Sequence, residues 1–323
     1  MLKSKILKDL EENRGRPISG QALAEKNNVS RNAVWKAVNA LKEDGHEIIS
    51  GRNKGYYLSE SSDKVSAEGI RSYLGDRLSD VEIMVYDELD STNNEAKRNI
   101  NTYGAQTTLL VAETQTGGRG RMGKSFFSPP GAGIYMSVYY RSPHGVRNPM
   151  MVTMAAAVAV VRTIEKFTDI KPGIKWVNDI FIGDKKCCGI LTEAVTDLET
   201  GLSSDIIVGI GLNVRPVDLP PELSDIVTSL GITDVTRNQL IAELLTNLNE
   251  LCRHERETFM EEYIAHSNVN GKHIKYEADG KACLGTVVTV RKNGALEVKR
   301  DSGETDMVTT GEILFREKNK NIK

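Results

Sequence analysis

Gly118-Arg119-Gly120-Arg121-Met122-Gly123-Lys124-Ser125 fits the phosphate-loop pattern G-x-x-x-x-G-K-[ST]. A loop of that kind runs from a strand straight into a helix, so that the helix N-terminus faces the phosphates. The strand is present, because Thr108-Leu109-Leu110-Val111-Ala112 reads as extended. The helix is missing: Phe126-Phe127-Ser128 lead into Pro129-Pro130-Gly131, which no helix survives. Three glycines and two arginines predict a flexible anion clamp instead. Glycine lets backbone N–H groups approach a phosphate, and Arg119 and Arg121 can each fork onto its oxygens. A nucleotide hydrolase built on a P-loop is therefore the weakest reading of this chain.

Around the loop, strand and helix patterns alternate over residues 65–266. Val81–Tyr86 reads as a strand, and Asp90-Ser91-Thr92 offers N-cap side chains to a helix through Ile100. Gly133–Tyr140 is a long strand and Met150–Phe167 an apolar helix. Ile174-Lys175-Trp176-Val177-Asn178-Asp179-Ile180-Phe181-Ile182 is one apolar run, turned back by residues 183–186 into Cys187–Glu193. A lysine inside such a run either meets an anion or snorkels from an edge strand, and the local pattern leaves both readings open. Asp205–Val214 is a strand whose glycines mark a close approach, and a long helix spans about Arg237 to His266. Together these predict a mixed sheet backed by helices.

Residues 268–323 differ in character. Five short strands, Gly271–Tyr276, Leu284–Arg291, Ala295–Arg300, Asp306–Thr309 and Glu312–Phe315, are separated by Asp-Gly, Asn-Gly and Ser-Gly turns. A small SH3-like β-barrel fits them.

Residues 1–60 predict a winged helix–turn–helix. Leu2, Ile6, Leu7 and Leu10 form a helical stripe, Ser19 caps a second helix over Gly20–Asn27, and Ser30 caps a third over Arg31–Glu43. Val34, Ala37, Val38 and Leu41 face inward. Ser30, Arg31, Asn32, Trp35 and Lys36 sit where a recognition helix reads DNA, and Arg52 and Lys54 sit at a hairpin tip suited to phosphates. Eleven Lys and Arg against eight Asp and Glu make this module basic, although the whole chain is −2. A helical protein-interaction module is the competing interpretation. Ser59–Lys64 reads as a linker.

The bulk numbers fit this division. A length of 323 residues allows two or three domains, with 39% hydrophobic and 27% charged residues as in globular protein. No apolar run approaches membrane-spanning length and no signal-peptide core is present, which predicts a cytoplasmic protein. The four cysteines have no zinc or C-x-x-C spacing and read as buried small hydrophobes.

In this order the elements resemble the bifunctional biotin protein ligase and biotin operon repressor family, over nearly the whole chain. The resemblance rests on Gly118–Gly123, on Lys175-Trp176-Val177-Asn178-Asp179, and on Ser91-Thr92-Asn93, Gln115, Gly189-Ile190-Leu191, Gly209-Ile210-Gly211-Leu212-Asn213 and Gly311-Glu312-Ile313 with Arg316. Two positions depart from the family: Val177 replaces a usual proline, and Phe126 a usual tryptophan.

The resemblance implies an α+β chain of winged helix, ligase domain and barrel, catalysing two half-reactions. Biotin's carboxylate attacks the α-phosphate of ATP, and a lysine of a biotin carboxyl carrier protein then attacks biotinoyl-5′-adenylate. Arg119, Arg121 and Lys175 become the catalytic cations, with Mg²⁺ expected on the polyphosphate. Ser91, Thr92, Asn93, Gln115, Gly120 and Gly189 join them around biotin, and Asn178, Asn213 and Arg316 around the nucleotide. The same resemblance implies a homodimer on operator DNA of biotin synthesis or transport genes. A ligand-sensing regulator without ligase activity and a lipoate or octanoate ligase are the alternatives.

Overall fold

A computed structural model describes residues 1–51, 55–146, 148–196, 203–253, 259–278 and 280–315. Arg52, Lys54 and Arg316 lie outside the described residues. In the N-terminal module, α1 (Leu2–Glu12), α2 (Gly20–Lys26) and α3 (Arg31–Glu43) precede a hairpin of β1 (Ile48–Gly51) and β2 (Gly55–Leu58). Both predicted caps form. Ser19 Oγ accepts the Ala22 N–H at 3.0 Å and Ser30 Oγ accepts the Ala33 N–H at 3.2 Å, each stabilising its helix by about 1 kcal/mol. Leu23, Val34, Val38 and Leu41 close with Ile6 and Leu10 into a core separate from the rest of the molecule.

Residues 59–64, read as a linker, connect β2 to the next helix and are tethered on both sides. Arg14 Nη1 donates to the carbonyls of Ser59 and Ser62, both at 2.9 Å. Asp63 pairs with Arg237 (3.0 Å) and Arg215 (3.1 Å), and Arg237 also pairs with Glu113 (2.7 Å). A polar stretch without apolar pattern is ordered here by ionic partners distant in sequence. Ser66 then caps α4 (Ala67–Leu74) through the Gly69 N–H at 3.0 Å, a helix the sequence reading passed over.

The central domain comprises β3 (Glu82–Leu89), α5 (Thr92–Arg98), β4 (Thr107–Gln115), β5 (Gly133–Val146), α6 (Pro149–Phe167), β6 (Gly173–Lys175), β7 (Asp179–Ile182), β8 (Lys185–Thr196), β9 (Ser203–Asn213), α7 (Arg237–Arg253) and α8 (Met260–Ala265). Its sheet runs β3-β4-β5-β9-β8-β7-β6, with only β3 and β4 parallel. Alternation along β4 assigns the two faces: Leu109 and Val111 pack with α6 and α7, while Leu110 packs with Ala96 of α5, Tyr103 and Tyr139.

Three readings need correction. The 174–182 run is a hairpin, because the chain turns at Trp176-Val177-Asn178, across a cis Trp176–Val177 peptide, and Lys175 faces Asp179. That turn imitates a strand because it is buried. Trp176 Nε1 donates to the Gly294 carbonyl (3.0 Å), and the Tyr263 hydroxyl donates to the Val177 carbonyl (3.2 Å). Second, Ser91 starts α5 without a side-chain cap; Asp90 instead accepts from Asn94 (2.8 Å) and Arg98 (2.6 Å). Third, the long C-terminal helix is described as α7 and α8, with residues 254–258 outside the described set.

The last module is a five-stranded antiparallel sheet, order β13-β12-β11-β10-β14, built from β10 (His273–Ala278), β11 (Lys281–Val290), β12 (Leu296–Arg300), β13 (Thr305–Val308) and β14 (Leu314–Phe315). Val287, Val290 and Leu296 share one core with Met154 and Trp176, so this sheet is fused to the central domain. Of the four cysteines expected to be buried, Cys187 and Cys188 are, and burial pushes the Cys187 thiol up to about 12, whereas Cys252 is exposed and Cys283 half-buried. Among the described residues no helix is long and apolar enough to cross a membrane.

Candidate active site

A pocket of about 490 Å³ opens where α5 begins, between the glycine–arginine loop, the ends of β4, β8 and β9, and the 176–178 turn. Its floor is a polar network. The Thr92 N–H (2.9 Å) and Oγ1 (3.2 Å) both donate to Gln115 Oε1, and Gln115 Nε2 donates to Ser128 Oγ (2.9 Å). Ser137 Oγ donates to Asn93 Oδ1 (2.6 Å) and lies 2.7 Å from Thr92 Oγ1. Asn93 Nδ2 donates to Glu193 Oε2 at 2.9 Å. Ser91, Thr92 and Asn93 are buried, so each polar atom must be matched within the network or by a ligand. Glu193 also receives Lys97 (2.7 Å). Burial raises its pKa, but the bonds from Lys97 and Asn93 outweigh this and hold it below the usual carboxylate range.

The loop, read as an anion clamp, is folded here as a hairpin. The Phe126 N–H donates to the Gly118 carbonyl (2.8 Å) and the Lys124 N–H to the Arg121 carbonyl (3.1 Å), with Met122 and Gly123 at positive φ at the tip. Arg119 Nη1 donates to Asn94 Oδ1 (2.8 Å). Arg121 donates to Asn178 Oδ1 (3.1 Å) and to the Gly311 carbonyl (3.3 Å), and Lys124 pairs with Glu312. The C-terminal module therefore holds the loop down. The sequence reading missed Lys124 as a clamp residue, although a lysine inside an anion-binding loop was the available signal.

Lys175 lines the pocket with no ion pair among the described residues, its ammonium 5.1 Å from the Phe315 ring centroid and 5.7 Å from that of Phe181. Burial lowers its pKa, and Lys186 and Lys124 push the same way against Asp179 and Glu312. A desolvated, unpaired ammonium is arranged to receive an anion. Of the two readings left open by the sequence, this geometry favours the site lysine. Two glycines make room nearby: a Cβ on Gly211 would sit 2.5 Å from the Phe126 ring, and one on Gly209 would meet the Asn93 amide.

Residues 85–213 match the biotin/lipoate A/B protein ligase family, and residues 3–57 match an HTH domain. The bifunctional ligase/repressor BirA of Bacillus subtilis is 40% identical over 214 residues, 66% of each chain. Its Escherichia coli counterpart is 28% identical over 306 residues, 92% of each chain. The biotin protein ligase from Aquifex aeolicus, solved in complex with biotin and ATP, superposes with a TM-score of 0.60 at 27% identity, covering 73% of this chain and 98% of that one. The chain belongs to the bifunctional biotin ligase/repressor family. The B. subtilis alignment spans about two thirds of that relative's length.

Most of the family positions carried over from the sequence converge on the pocket: Ser91, Thr92, Asn93, Gln115, Arg119, Gly120, Arg121, Lys175, Asn178 and Gly189 all line it. Asn213 does not line the pocket; its Nδ2 donates to the Thr228 carbonyl (3.1 Å) and so holds the segment carrying Ile226 and Val227, which do. Phe126, where the family usually has tryptophan, lies across Gly211 and edge-on to Tyr135, ring centroids 6.4 Å apart. On the HTH module, Arg31, Asn32, Trp35 and Lys36 are exposed on one face of α3, Trp35 at 53%. The Ser30 hydroxyl is occupied as a cap.

Proposed function

We propose that this chain is an ATP-dependent biotin protein ligase and a biotin-responsive transcriptional repressor. The observation that carries the reading is the meeting of the Thr92–Gln115–Ser128 network with Arg119, Arg121 and Lys175 in one pocket. A ureido ring needs both donors and acceptors in a buried wall, and Ser91, Thr92, Asn93 and Gln115 supply them. An acid lacking the ring offers this wall no donors or acceptors in return for the water it displaces; this favours biotin over lipoate.

Adenylate formation brings a carboxylate onto a phosphate, so the chain's task is charge neutralisation and alignment. Lys175, desolvated and unpaired, takes the carboxylate and α-phosphate. Arg119 and Arg121 exchange their contacts with Asn94 and Asn178 for phosphate oxygens as the loop seals the site against water. The same cations steady the oxyanion when the amine of a carrier-protein lysine attacks. Asp179, a carboxylate lining the pocket, would help hold a Mg²⁺ that enters on the polyphosphate. Bound there, Mg²⁺ neutralises polyphosphate charge.

Arg31, Asn32, Trp35 and Lys36 read operator DNA of biotin genes as part of a homodimer in the cytoplasm, with Arg52 and Lys54 as further contacts to DNA phosphates, while Arg316 belongs to the nucleotide side of the ligase site. The meander β10–β13 with β14 returning beside β10 supports an SH3-like barrel. The test is incubation with biotin, ATP and a carrier domain. A carrier mass increase of one biotin, dependent on both substrates, supports the ligase. Biotin-dependent DNA binding without any transfer would support a regulator with a silent site instead.

A further inference from the structure

The pocket holds two cations that the reading above does not use, Lys124 and Lys186. Lys124 is spoken for by Glu312 across the domain boundary. Lys186 is placed differently. It stands in β8, and its Nζ contacts Asp179 Oδ1 at 2.8 Å with the side chain 30% exposed. Its backbone grips the neighbouring segment: its N–H donates to the Ile226 carbonyl and its carbonyl accepts the Thr228 N–H, both at 2.9 Å. Asp179 Oδ1 also accepts from Asn178 Nδ2 (2.9 Å), and Asn178 Oδ1 accepts from Arg121 (3.1 Å). A continuous chain of contacts thus runs from the arginine loop through Asn178 and Asp179 to Lys186. Lys175 sits beside this chain, close enough for Lys186 to help lower its pKa.

If Lys175 meets the α-phosphate, a triphosphate needs further cations beyond that point. An ammonium has three donors, and a single contact to Asp179 leaves others for a ligand. Gly189 keeps the space beside it clear, since a Cβ there would stand 3.0 Å from Lys186 Nζ.

We infer that Lys186 forms a pyrophosphate subsite, binding the β- and γ-phosphates of the nucleotide and then the departing pyrophosphate. The inference rests on the ligase reading. In that step the biotin carboxylate oxygen forms its bond to the α-phosphorus as the bond from that phosphorus to the bridging oxygen breaks. The bridging oxygen leaves with the electron pair, and Lys186 meets the charge that develops on it.

Lys186→Gln and Lys186→Arg are compared with the wild type in three measurements: the KM for ATP, inhibition by magnesium pyrophosphate, and transfer from preformed biotinoyl-adenylate. Lys186→Gln should raise the KM and weaken pyrophosphate inhibition, each by about tenfold. Transfer, in which no pyrophosphate takes part, should hold its rate, and Lys186→Arg should restore most of the loss. Equal slowing of transfer and adenylate formation would overturn the inference, because Lys186 would then act through Asp179. Unchanged pyrophosphate inhibition would overturn it too. A wild type that makes no adenylate would overturn the ligase reading and this inference with it, a failure visible before any variant is compared.

Discussion

Gly209→Ala probes the pocket wall at its tightest point. Gly209 pairs with Ser137 on β5 and Leu191 on β8, and a Cβ there would run into Asn93 Oδ1 and stand 2.8 Å from its Cγ. Asn93 is 3% exposed and held at both ends of its amide, by Ser137 (2.6 Å) and by Glu193 (2.9 Å) and the Leu191 carbonyl (3.2 Å). Retreat breaks two or three of these bonds. At about 1 kcal/mol each, with the one to a carboxylate worth more, the loss is about 3 kcal/mol. Thermal unfolding should then shift down by about 6–12 °C. Because Asn93 lies in the first turn of α5, next to Thr92, biotin affinity by calorimetry should fall at least about tenfold. Asn93→Ala removes the obstacle, so the double variant should be no less stable than Asn93→Ala alone. A Gly209→Ala protein within about 0.5 kcal/mol of wild type, with unchanged biotin affinity, would refute this packing.

Trp35→Ala with Arg31→Ala should abolish operator binding in a gel shift while leaving carrier biotinylation intact, since both side chains lie on the exposed face of α3; loss of both activities would contradict a separate DNA-reading surface. The Lys175 pKa is lowered, so its ammonium persists below that value and is lost as pH rises through it. Adenylate formation should therefore decline at a pH below the range of an ordinary lysine, and Lys175→Arg, whatever its rate, should lack that decline. Arg121→Ala removes the contacts to Asn178 and Gly311 and should speed adenylate release in stopped flow; an unchanged rate would reject loop closure as the trap. Arg237→Met leaves Glu113 without its buried partner and Asp63 with Arg215 alone, and should destabilise the protein by about 3 kcal/mol in denaturant titration.

The elements that read correctly were those whose signal is local. Ser19 and Ser30 cap from within their own turns, and the C-terminal strands are marked by Asp279-Gly280, Asn293-Gly294 and Ser302-Gly303 beside them. The failures share a non-local cause. Trp176 and Val177 look like strand residues because partners on α8 and in the β11–β12 turn bury them. Asp63 looks like a linker residue because the arginines that fix it lie more than 150 positions away. At the site, the arginines, the lysine and the ureido-type polar set were legible as residue types. The contacts of Lys124, Lys186 and Asn213 were not, since each depends on which segment folds back beside it: Glu312, Asp179 and the 226–228 stretch.

The most direct measurement is a crystal structure after soaking with biotin and ATP. Biotinoyl-5′-adenylate should lie beneath residues 118–126, its acyl phosphate within hydrogen-bond reach of Lys175, Arg119 and Arg121 and its ureido ring against Thr92 and Gln115. Intact ATP bound along the loop with an empty Thr92–Gln115 wall would contradict it.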